Sequence, residues 1–141
     1  MSSPPQGPRL KYSITHYRKP GRSHDDFINW IVKTHLPKAL PVFKKHGILG
    51  YSLFVTPAAL NIDLKPQFAT LRPTWEFAEF DCFIEYIIPS FECVKAVMMD
   101  AEWAEAVADQ EEWVDVPRAL VSMGFVTAYL EEGREVGELK S

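Results

Sequence analysis

Along this chain the spacing of apolar residues switches between strand-like and helix-like in an order that few folds accommodate. Residues 10–17 alternate, with Leu10, Tyr12, Ile14 and His16 on one face and Lys11, Ser13, Thr15 and Tyr17 on the other. Residues 23–47 carry helical spacing. Residues 48–56 alternate again, with Leu49, Tyr51, Leu53 and Val55 on one face. Residues 75–88 make a third, more apolar strand in which Phe80, Cys82, Ile84, Tyr86 and Ile88 face one way. A helical pattern then runs through Phe91, Val94, Val97 and Met98, and restarts after Asp100 through Trp103 and Val107. Residues 120–131 alternate a last time, with Val121, Met123, Phe125, Thr127 and Tyr129 together.

The order is β-α-β-β-α-β. It predicts an α+β protein with a ferredoxin-like, antiparallel four-stranded sheet and helices on one face. The opposite face of the third and fourth strands is also apolar, at Phe83, Ile87, Val126, Ala128 and Leu130. A sheet with one face in water alternates more cleanly than this. A second copy packed sheet to sheet, as a homodimer, accounts for it. Residues 57–74 fit neither pattern. Their apolar side chains (Leu60, Ile62, Leu64, Phe68, Leu71) suggest a packed lid with a helical turn.

At 141 residues the chain is one domain over residues 9–131, with disordered tails at 1–8 and 132–141. A net charge of −4 and a pI near 5.5 argue against nucleic acid and anionic membrane surfaces as partners. No apolar run is long enough to span a bilayer. The start, MSSPPQGPRL, has no apolar segment of the secretory type. Cys82 and Cys93 form no metal or redox motif and read as small buried hydrophobes in a reducing, cytoplasmic setting.

The helix at 23–47 has a strong start. Ser23 is a good N-cap, and Asp25 and Asp26 suit the positive end of the helix dipole. Ile28, Ile31, Val32 and His35 share a stripe. Pro37 lacks a backbone N–H and crowds the turn before it, so the helix is expected to end or kink near Leu36. Gly47 is the expected C-cap. His35 therefore sits on a buried helix face at a break.

There is no GxGxxG, P-loop, HExxH, CxxC or GxSxG. His16, His24, His35 and His46 are scattered, and no element sets histidines and carboxylates at metal-ligand spacing. Neither a nucleotide cofactor nor a structural metal is expected, which leaves acid, base and hydrogen-bonding side chains to do any chemistry.

A further set of residues fits a known pattern. Tyr17-Arg18-Lys19-Pro20-Gly21-Arg22-Ser23 leads into a helix with Phe27, Trp30 and His35-Leu36-Pro37. Phe80-Asp81, Ser90 with Glu92, and residues 109–113 follow. Over residues 9–131 the chain resembles the EthD-like branch of the dimeric α/β-barrel superfamily. Lys65-Pro66, Arg72-Pro73 and Trp75 resemble its fungal polyketide-cluster members. The resemblance implies a homodimer, no cofactor, and a pocket between the sheet and helices of each subunit. It also implies a decarboxylase or dehydratase acting on an aromatic polyketide intermediate. Relatives in the wider superfamily include cyclases, cofactor-free oxygenases and isomerases, and fold alone does not choose among them.

On the inner sheet faces, Tyr12, His16, Tyr51, Tyr86 and Tyr129 converge on the space that His35 faces. These polar tips either satisfy one another in a packed core or line an aromatic-walled site. In the second case His35 is the general acid–base, with His16 or Tyr51 polarising a substrate oxygen. Arg72 is then a candidate anchor for an anionic group. Trp30 is either a core residue or part of the substrate wall. Asp81 falls on the opposite strand face, as a surface or interface carboxylate. A dimeric protein that binds the aromatic intermediate without turning it over would show the same features.

Overall fold

A computed structural model describes residues 8–136. Strand β1 (Arg9–His16) lies between β3 (Cys82–Ile87) and β4 (Leu120–Val126), and β2 (Gly50–Val55) forms the other edge beside β3. The sheet order is β2-β3-β1-β4, with every pairing antiparallel, so the fold is ferredoxin-like as expected. The register aligns Tyr12 with Tyr86 and Met123, and Tyr86 with Tyr51. Directly opposed residues share a face, so these side chains form one row across the inner surface.

Helix α1 (His24–Trp30) starts at Ser23, whose hydroxyl accepts from the Asp26 backbone N–H at 3.1 Å. The chain does not end its helix before Pro37. It widens into a π-turn at Ile31–His35, where the Leu36 N–H donates to the Ile31 carbonyl, and continues as α2 (Leu36–Lys45) through Pro37 and Pro41. Pro37 follows immediately on this wide turn, where an α-helical register would crowd its ring against the carbonyl four residues back. The extra residue also rotates the stripe. Phe27, Trp30, Ile31 and His35 are buried, whereas Val32 is 47% exposed. The helix-to-strand turn after α2 uses a left-handed backbone at Gly47 (φ 81°), the expected C-cap.

Helices α4 (Phe91–Met98) and α5 (Ala101–Ala106) complete the layer over the sheet. Two apolar clusters form the core. One joins Phe27, Trp30, Ile31 and Ile84; the other joins Val42, Phe43, Val97 and Ala106. Leu36, Tyr51 and Tyr86 touch both. Each fully buried large side chain contributes roughly 1.5–3 kcal/mol. The helices leave β4 open on this side, since Val121, Met123 and Phe125 are all exposed.

Three segments depart from the alternation pattern. Residues 57–74 are not a packed lid: Ala58–Leu71 is a helix, α3, and none of its residues is buried. Its apolar residues lie all around the axis, so no single face can be covered. The third strand begins at Cys82 rather than residue 75, because Asp81 is drawn into a polar cluster described below. The fourth strand ends at Val126, and Leu130–Glu131 (β5) pairs with Arg134–Glu135 (β6) in a hairpin. Glu132 (φ 53°) and Gly133 (φ 76°) at its turn match a type I′ geometry. Residues 132–136 are thus part of a hairpin rather than a loose tail; the other expected tail residues, 1–7 and 137–141, lie outside the described residues. Among the described residues no helix is long and apolar enough to cross a membrane.

Candidate active site

The sheet and the helices enclose a cavity of about 230 Å³. Strand β1 supplies Tyr12, Ile14 and His16 to its wall, and β3 supplies Ile84 and Tyr86. From the helical side come His35, Phe43 and Trp103, with Gln110 from the turn beyond α5. The volume lies just under the usual range for small-molecule sites, and the wall is apolar with a few polar tips, the common form of such sites.

His35 ends the π-turn and is 7% exposed. Its ring stacks on Trp30 (centroids 5.2 Å apart, planes 22°) and meets Trp103 edge-on at 5.6 Å. Nδ1 lies 3.0 Å from the carbonyl oxygen of Ala106. A carbonyl only accepts, so this contact assigns the proton to Nδ1 and leaves the Nε2 lone pair free. Burial lowers the pKa of His35 below the ordinary histidine value. The Ala106 carbonyl and the Asp109 carboxylate act against that shift, and the Lys38 ammonium adds to it. The net result is an imidazole neutral at rest with a basic nitrogen.

His16 is pushed down to about 4, first by burial and then by the proximity of His35. Its Nδ1 is buried with no hydrogen-bond partner among the described residues. Burial raises the Tyr12 phenol, and raises Tyr86 well above the usual range, with Tyr51 and Tyr12 nearby adding to the effect. Both phenols are therefore donors at neutral pH. Tyr12 and Tyr86 rings lie 5.5 Å apart.

The other expected site residues are elsewhere. Tyr51 packs on Tyr86 (5.2 Å) and Phe43 (5.6 Å) behind the wall, its hydroxyl buried and without a hydrogen-bond partner among the described residues. Trp30 lies behind His35; its Nε1–H donates to Asp109 Oδ2 at 3.0 Å, and its ring stacks on Trp113. It positions His35 and does not line the cavity. Tyr129 lies past the end of β4, half-exposed, beside Lys11, Ser13 and Ser122 on the outer side of the sheet. The alternation that placed it inside stops at Val126. Arg72 follows the exposed helix α3, with its guanidinium near the Trp75 ring and its Nη1 donating to the Leu71 carbonyl, away from the cavity. Trp103, Phe43 and Gln110 were not expected in the wall. Trp103 stood in an apolar helical stripe that reads as core, and Gln110 in an acidic stretch with no periodicity.

Asp81 is not a surface carboxylate. It is 6% exposed and accepts hydrogen bonds from the Arg18 backbone N–H (2.8 Å), Arg18 Nη1 (2.6 Å) and His24 Nδ1 (2.8 Å). Burial alone would raise its pKa; these three bonds outweigh it and hold the carboxyl below the ordinary range. The cluster ties the end of β1 to the start of α1, the helix that carries the chain into the π-turn and His35. Cys82 next to it is fully buried, and burial together with the Asp81 charge pushes its thiol up to about 12. Among the described residues no group of three His, Cys, Asp or Glu could hold a metal ion.

Residues 19–117 match the model of the EthD domain. The chain is 32% identical over 124 residues to the dehydratase iacD of Pestalotiopsis fici, spanning 88% of this chain and 90% of that protein. It is 29% identical to the decarboxylase nsrE of Aspergillus novofumigatus, spanning 94% and 87% respectively. A dimeric ferredoxin-like protein of unknown function from Thermobifida fusca superposes with a TM-score of 0.51 at 11% identity, spanning 89% of this chain and 97% of that one.

Proposed function

The chain belongs to the EthD domain family, and on that premise we propose that it is a lyase acting on an aromatic polyketide intermediate, with His35 as its general acid–base. One observation carries the reading. His35 has one ring nitrogen committed to the Ala106 carbonyl and the other left basic, and the same side chain lines an aromatic-walled cavity. A core histidine satisfied on both sides would have no base to offer. The two curated relatives described above are named a dehydratase and a decarboxylase, which supports a lyase of one of these kinds.

Both reactions need a flat substrate held beside a proton-transfer group and a polarised oxygen. In this reading the substrate ring lies among Phe43, Trp103 and the tyrosines. The hydroxyls of Tyr12 and Tyr86, with His16, donate hydrogen bonds to a carbonyl or phenol oxygen and stabilise the charge that develops there. His35 Nε2 takes or delivers the proton at carbon. Side chains alone supply this chemistry; it calls for neither a nucleotide nor a metal. The working unit is a homodimer. The outer sheet face keeps Phe54 at 57% and Leu120 at 68% exposure, apolar surface that a second copy would cover.

Product mass after incubation with aromatic β-hydroxy-ketone polyketides tests the reading. Loss of the mass of water or of carbon dioxide, dependent on His35, is expected. Gain of an oxygen atom, or binding without turnover, contradicts it.

A further inference from the structure

Among the described residues, the cavity wall holds five polar side chains, Tyr12, His16, His35, Tyr86 and Gln110, and no Lys, Arg, Asp or Glu. Several cations of the surrounding elements are engaged elsewhere, and Arg118, between the wall residues Val116 and Ala119, lies over the Tyr17 ring. Arg18 is bound to Asp81, Lys11 to Glu85, and Lys45 to Asp100 and Glu102. Arg72 sits beyond the exposed helix α3. The charged groups that act on His35, Lys38 and Asp109, are not among the residues lining the wall, and Asp109 accepts from Trp30.

Such a wall treats the substrates of the two lyase reactions differently. A carboxylate that enters loses its water and finds no cation, which is costly unless a charged partner replaces the solvent. Entering as the neutral acid is no easier. A carboxyl of ordinary pKa near 4 is protonated in only about one molecule in a thousand at pH 7. A neutral hydroxy ketone meets neither obstacle, and the five polar tips match its oxygens.

Resting on the lyase reading above, we propose that this cavity selects an uncharged aromatic β-hydroxy ketone and eliminates water from it, and that it discriminates against the corresponding carboxylic acid. His35 Nε2 removes the proton from the carbon next to the carbonyl. The electron pair of that C–H bond forms the new C=C bond as the C–O bond to the β-hydroxyl breaks. The departing hydroxide takes the proton back from His35, so one water leaves and the histidine returns to its starting state. No oxidant or reductant enters. Tyr12, Tyr86 and His16 hold the carbonyl oxygen while it carries negative charge, and the aromaticity of the product drives the step.

Binding tests this without turnover. Quenching of tryptophan fluorescence is titrated at pH 7 with 2-acetyl-1-naphthol and with its carboxylate counterpart, 1-hydroxy-2-naphthoate. The ketone is expected to bind at least 100-fold more tightly. Gln110→Lys, which places a cation in the wall, is expected to shift the ratio of naphthoate to ketone affinity tenfold or more toward the naphthoate. Equal affinities in the unmodified protein, or a naphthoate preference, overturn the proposal even if the protein proves to be a lyase. Ketone selectivity in a protein that turns over no substrate upholds the selectivity and removes the lyase reading instead.

Discussion

His35 Nδ1 and the carbonyl oxygen of Ala106 lie 3.0 Å apart, joining the end of the π-turn to the last residue of α5. This contact decides which nitrogen of the candidate base is free. Because the acceptor is a backbone group, no side-chain substitution removes it directly, and the tautomer is set by the packing of α2 against α5. Nitrogen-15 NMR of the histidines at pH 7 should show His35 protonated at Nδ1 and bare at Nε2. The opposite tautomer would leave the proposed chemistry without its base.

The pH profile of turnover should carry an acid limb set by His35, below the ordinary histidine value of 6.5. Asp109 favours the imidazolium and Lys38 disfavours it. Asp109→Asn, which keeps an oxygen acceptor for Trp30, should move the limb to lower pH. Lys38→Gln should move it to higher pH, and both displacements should shrink in high salt. Shifts of the same sign in the two variants would contradict this electrostatic picture.

His16 makes acid stability a second readout. A fall from 6.5 to about 4 means that the unfolded chain binds this proton across a pH range in which the native state does not. Stability should therefore be full above about pH 6.5 and decline as the pH drops toward 4, by up to about 3 kcal/mol. Urea unfolding across this range measures it. His16→Gln should flatten much of the slope; parallel profiles in the two proteins would show that His16 is not buried as described.

Tyr51 separates wall from core. Its hydroxyl is buried without a partner among the described residues, and the residue does not line the cavity. Tyr51→Phe should leave turnover within about twofold and stability unchanged or raised by up to about 1 kcal/mol, since it removes an unsatisfied polar group. Tyr12→Phe, by contrast, removes a proposed donor to the substrate oxygen and should lower kcat. A large loss of activity in Tyr51→Phe would return Tyr51 to the site.

Asp81→Ala should destabilise the protein by about 2 kcal/mol, because it strands His24 and the Arg18 backbone N–H, while the half-exposed Arg18 side chain regains water. The native carboxyl is held below its ordinary value, so its contribution is present at neutral pH and is lost as the pH falls through the folded-state pKa. Thermal melts at a series of pH values from 7 downward should show the gap between the variant and the unmodified protein shrinking only below the ordinary carboxyl value of 3.8. A gap that begins to shrink well above that value would contradict a carboxyl held below its ordinary range.

Much of this was readable from the chain, for identifiable reasons. Alternation at β1 and β3 placed Tyr12, His16 and Tyr86 on one face, and the helical stripe brought His35 to it, because side-chain direction follows backbone period. The same rule failed at Tyr129, where the strand stops three residues earlier and no breaker residue marks the stop. It failed at Asp81, where three donors from β1's end and α1's start pull the carboxylate inward, and such long-range partners leave no local trace. Pro37 announced a disturbance in the helix but not its kind, since a kink, a stop and a π-turn all relieve the same clash. Gln110 and the Ala106 carbonyl carry no sequence signal, the first because it lies outside any periodic element and the second because every residue has a carbonyl.

The most direct test of the central claim is the turnover of His35→Gln, compared with the unmodified protein at pH 7 on a substrate that the unmodified protein turns over, with circular dichroism confirming the fold. Loss of at least about 100-fold in kcat, with KM little changed, is predicted for removal of a general acid–base. A folded His35→Gln variant that retains full activity would contradict the role assigned to His35.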